Sequence, residues 1–139
     1  MGNMSNLQRK WVSIIGGGLF GFGMTQVLIL TVASVYVQSS GGFIFTVVGL
    51  IVISTFLGGI LAGVIDKYEA GIRGMQAGLI ALAIYLMFEL GVLFFVRFHP
   101  NLVIVDIYII FWVWIPIVVF SGIGGKIGGS LRSRYRKPK

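Results

Sequence analysis

Cysteine is absent from this chain, which excludes disulfides, thiolate metal sites and thiol redox chemistry. Histidine occurs once, as His99, so imidazole clusters for a metal are excluded as well. Asp, Glu, Lys and Arg together make up only 11% of the 139 residues, against ~25% in a soluble domain. So little charge cannot clothe a globule of this size in water. Nor is there a Ser-His-Asp arrangement, a phosphate loop or a metal-ligand spacing. The residues point to no enzyme, no cofactor and no metal.

What the chain has instead is apolar length. Hydrophobic residues account for 57% and mean hydropathy is +0.98. Four long runs are almost free of charge, and at 1.5 Å rise per residue about 20 such residues cross a bilayer core. The runs predict an all-α membrane protein with one transmembrane domain over 11–129, its helices at 11–37, 43–65, 72–96 and 102–127. A short polar turn at 38–42, a charged loop ending near Gly71 and a turn around His99 and Pro100 join them as two antiparallel hairpins. Pro116 lies inside the fourth run, where a kink is expected among neighbouring helices. Residues 1–10 form an N-terminal tail, and 130–139 form a basic tail without apolar periodicity.

Orientation follows from Lys and Arg. Arg9 and Lys10, Lys67 and Arg73, and six residues from Lys126 to Lys139 lie on one side, against Arg97 alone on the other. Ten against one places both termini and the middle loop in the cytoplasm by the positive-inside rule. The net charge of +7 is then a consequence of topology, with the C-terminal tail attracted to anionic lipid headgroups and no nucleic acid implied.

Glycine is distributed just as unevenly. Of 21 glycines, 16 lie in the expected cytoplasmic half, while Phe43, Phe45, Phe88, Phe94, Phe95 and Phe98 gather towards the other. Small-xxx-small spacing lets helix backbones approach closely in lipid, so Gly17, Gly21, Gly59, Gly63, Gly74, Gly78, Gly125 and Gly129 are candidate packing positions. A bundle tight at the cytoplasmic end and splayed outside is expected. Residues 58–63 and 124–129 share the pattern Gly-Gly-x-x-small-Gly, a faint echo between the two halves.

Gly-Gly-x-x-Ala-Gly at 58–63, a short charged loop and Gly-x-x-x-Gly-x-x-Ala at 74–81 resemble a set of small, glycine-rich, four-helix membrane proteins of archaea and bacteria without an assigned function. The likeness covers the two middle helices best. It implies size and topology, and it carries over no catalytic residue.

Polar side chains within the runs are the remaining candidates for chemistry. Glu89 lies 14 residues into the third run, and an intramembrane carboxylate marks a functional hypothesis. Gln26 sits at a matching depth in the first run, so a Gln26 to Glu89 hydrogen bond is expected, with Tyr85 a further partner. Arg97 and Asp106 flank the outer turn as a candidate interfacial ion pair. Trp112 and Trp114 lie deeper than the usual interfacial belt and fit a splayed outer half or a partner. Asp66 and Glu69 read as solvated loop partners of Lys67 and Arg73.

These features favour a structural or accessory subunit, packed against a protein partner or in a homo-oligomer. A second reading is a small channel or ion-coupled transporter working through Glu89. A third is a holin-like permeabiliser, suggested by small size, several spans and the basic tail.

Overall fold

The computed structural model describes residues 5–35, 40–95 and 100–135, with side chains over 5–31, 46–88, 90–91 and 112–134. It holds four helices: α1 (Asn6–Val35), α2 (Ser40–Ile65), α3 (Ala70–Phe95) and α4 (Pro100–Tyr135), and no strand among the described residues. Each is long and apolar enough to cross a membrane, the pattern of a multi-pass membrane protein.

Most helix ends lie within three residues of the sequence expectation, and two differ by more, each for a local reason. α1 begins at Asn6, inside the segment expected to be a tail, because Ser5 and Gln8 form a capping box. The Gln8 amide donates to Ser5 Oγ at 3.2 Å and the Ser5 amide donates to Gln8 Oε1 at 3.0 Å, satisfying two donors that a helix start leaves orphaned. At the other end α4 continues to Tyr135, well past Ile127 and into the expected basic tail. A helix satisfies its backbone internally, so it need not stop where the apolar run stops. α4 also passes through Pro116, whose missing amide deprives the Trp112 carbonyl of its helical donor.

The helices pack as a rhombus. α2 and α3 touch each other and both touch α1 and α4, while α1 and α4 do not meet among the described residues. Gly17 faces Gly58 and Ala62 while Gly21 faces Ser54 and Thr55, so residue numbers climb along α1 as they fall along α2. The same opposed register joins α3 to α4, where Gly74 faces Gly125 and Gly78 faces Ser121. By contrast α1 and α3 climb together, and so do α2 and α4, where Phe56 faces Gly124 and Ile60 faces Gly128.

Packing changes character along the bundle. At the end near the 66–69 loop, backbones meet directly: a Cβ on Gly63 would lie 2.9 Å from Gly125 Cα, and one on Gly74 equally 2.9 Å from it. Towards the other end large side chains separate the helices, with Ile51, Tyr85 and Ile117 buried among Phe22, Val47, Leu82, Leu86 and Val113. Buried hydroxyls line the interior. Thr25 and Thr55 donate to carbonyls of their own helix, Gly21 at 2.9 Å and Ile51 at 2.8 Å. Ser121 instead crosses to α3 and donates to the Gly74 carbonyl at 2.7 Å.

Candidate functional site

Among the described residues, a linked group of charges closes the glycine-rich end. Asp66 follows the last residue of α2, and its Oδ1 accepts the Tyr68 amide at 3.2 Å, turning the chain. Glu69 adopts a left-handed backbone (φ 54°), which aims α3 back along the bundle. Arg73, one turn into α3, gathers the loop. Its guanidinium donates to Asp66 Oδ2 at 3.2 Å, to Glu69 Oε2 at 3.0 Å and to Gln76 Oε1 at 2.9 Å.

Lys67, Tyr68 and Glu69 are exposed, as in the solvated loop expected from sequence, and both acids pair as loop partners of Arg73; the correction lies at Asp66, which is not solvated. Asp66 and Arg73 are buried, and both acidic residues serve Arg73, while Lys67 lies over the Tyr68 ring at 5.2 Å from its centroid. A charge near the positive end of a helix is unfavourable for an Arg, and two carboxylates offset it. Close by, Arg132 of α4 donates to the carbonyls of Val64 (2.7 Å) and Ile65, the orphaned acceptors at the C-terminus of α2. The basic C-terminal residues therefore include a helix cap. No local pattern announces this cap, since Arg132 and Ile65 lie 67 positions apart in the chain.

The second group lies deeper. Phe22 meets Tyr85 edge-on at 4.9 Å between ring centroids and Phe88 at 6.0 Å. Four residues on along each helix stand Gln26 and Glu89, and because α1 and α3 climb together their backbones share one level. Gln26 is half-buried and Tyr85 is buried. The Glu89 side chain, and with it the expected bond to Gln26, lies outside the described residues. So do Arg97, His99 and the side chain of Asp106, and hence the expected outer ion pair. Ser54 Oγ is buried without a hydrogen-bond partner among the described residues.

All eight candidate glycines lie in helices. Gly17 and Gly21 face α2, Gly59 and Gly63 face α4, and Gly74, Gly78, Gly125 and Gly129 line the α3–α4 contact. The signal missed in sequence is serine: Ser121 touches Gly59, Gly74 and Gly78, acting as a small residue and as a donor together. Trp112 and Trp114 point outwards, Trp112 at 72% exposure. Among the described residues no three His, Asp or Glu side chains gather as a metal site would require. No family model, curated protein or solved structure matches the chain.

Proposed function

We propose that this chain is a multi-pass protein of the cell membrane that serves as a structural or accessory subunit of a larger assembly or homo-oligomer. Its four helices would form two antiparallel hairpins with both termini and the 66–69 loop in the cytoplasm, in keeping with the Lys and Arg asymmetry. The small glycine-rich four-helix membrane proteins that it resembles are proposed as its class.

The observation that carries this reading is the inversion of the bundle. Small residues and hydroxyls face inwards, while Leu30, Ile53, Met87, Leu90 and Trp112 face outwards, Met87 at 74% exposure. Lipid receives such a surface without cost, and an outward Trp offers a partner a large contact area at small entropic cost. Purification from membranes in mild detergent, followed by native mass determination, tests the subunit role. The expected outcome is a defined complex or oligomer, and a lone monomer would overturn it.

A second reading, ion conduction or ion-coupled transport through Glu89, draws support from the shared level of Gln26 and Glu89 beside buried Tyr85. A carboxylate there is expensive unless it is paired, protonated or wetted.

A further inference from the structure

Beside the loop that carries Lys67 and Glu69, a groove of about 630 Å³ runs between the first turns of α3 and the last turns of α4. Glycine makes it concave. A Cβ on Gly122 would lie 2.7 Å from Met75 Cγ and one on Gly71 would lie 3.0 Å from Lys126 Cγ, so both long side chains lie along the neighbouring helix instead of filling the space between.

Chemistry divides the groove along its length. Ile72, Met75, Val119 and Ile123 form an apolar wall, each of them at least 40% exposed and facing what would be lipid. Lys67, Lys126, Ser130 and Ser133 form the polar end. Glu69 also lines it, but its carboxylate is held by Arg73. Lys126 makes no ion pair among the described residues, and Lys67 rests on an aromatic ring instead of an acid. The end of the groove is thus short of negative charge.

We propose that this groove binds one anionic phospholipid of the leaflet facing the 66–69 loop. Its phosphate would sit between Lys126 and Lys67, with the exposed Ser130 hydroxyl as a further donor, and one acyl chain would run along Met75 and Ile123 to Val119. From Lys126 to Val119 the helix rises roughly 10 Å, enough to seat the upper part of a chain. A lysine whose stem packs over a glycine and whose ammonium reaches the headgroup level suits this task. Arg132 does not compete, because it is committed to the α2 carbonyls. The proposal sharpens a diffuse attraction of the tail into one site. It rests on the membrane placement proposed above and not on the subunit role.

The test is native mass spectrometry of the full chain from bilayer nanodiscs, comparing phosphatidylglycerol with phosphatidylcholine of the same chains, and with glycerol 3-phosphate as a headgroup without chains. One saturable phosphatidylglycerol adduct per chain is expected. Lys126→Gln should weaken it about fivefold, the effect of one lysine near the surface, and Lys126→Arg should retain it. Equal retention of the two lipids, or a Lys126→Gln variant that binds like wild type, would overturn the site while leaving the membrane placement intact. Glycerol 3-phosphate binding as tightly as the lipid would overturn the lipid as occupant. A chain that enters no bilayer would overturn placement and site together.

Discussion

Arg73 shows how much one side chain organises here. It is nearly buried, and it binds three oxygens drawn from the loop and from its own helix. Its two acidic partners are unequal. The Asp66 side chain is about as buried as Arg73, so Asp66→Ala leaves a buried charge whose one remaining acidic partner is exposed and should cost about 3 kcal/mol. Glu69 is 59% exposed, and such a pair contributes at most ~1 kcal/mol. Its left-handed backbone costs roughly 1 kcal/mol in a residue with a Cβ. Glu69→Gly removes both terms and should leave stability almost unchanged. Thermal unfolding in detergent, followed by fluorescence-detected size exclusion, should show a clear fall for Asp66→Ala and little change for Glu69→Gly. Equal losses would mean that the loop is held by net charge and not by the buried pair.

Between elements, the relevant quantity is backbone separation. The α2–α4 and α3–α4 contacts place carbonyls and Cα atoms where a Cβ would otherwise be, so these helices are closer than any side chain permits. Gly63→Ala must push α2 away from α4 and should cost about 1 to 3 kcal/mol, as overpacking does elsewhere. Gly23→Ala is the matched control, since nothing lies within 4 Å of its new Cβ and alanine is the better helix former by ~1 kcal/mol. Unfolding in mixed micelles with rising SDS should separate the two, with Gly63→Ala unfolding earlier and Gly23→Ala no earlier than wild type. A Gly63→Ala variant as stable as Gly23→Ala would show that the tight seam contributes nothing.

At the scale of the whole molecule, glycines and ion pairs close the end of the bundle near the 66–69 loop, and further along it a cluster of aromatic and aliphatic side chains fills the space between the helices. Glu89 lies in α3 one turn beyond Tyr85 of that cluster. If the chain is an accessory subunit, Glu89 is structural, and liposomes carrying wild type or Glu89→Gln should leak protons and small cations no faster than empty liposomes. A flux in wild type that Glu89→Gln abolishes would overturn the subunit reading in favour of conduction. The exposed tryptophans belong to this scale too: Trp112 is turned away from the other helices.

How much of this was legible beforehand depends on how local the cause is. The number and rough extent of the helices follow from run length set against bilayer thickness, and the crowding of glycine at one end is visible by position alone. Which helix faces touch is not, because these helices are apolar nearly all round and lipid is as apolar as their core. No amphipathic stripe announces the buried side. Hence the rhombic pairing that keeps α1 from α4, the Ser121 bridge, the burial of Asp66 and the groove beside Gly71 and Gly122 were decided only when backbones met. The same holds for Arg132: its charge was plain in the sequence, but its task required the end of α2 to arrive beside it. Composition and run length thus determined that the chain makes four helices suited to a membrane. Close backbone approach, which depends on pairs of residues far apart in the chain, decided how those helices fit together.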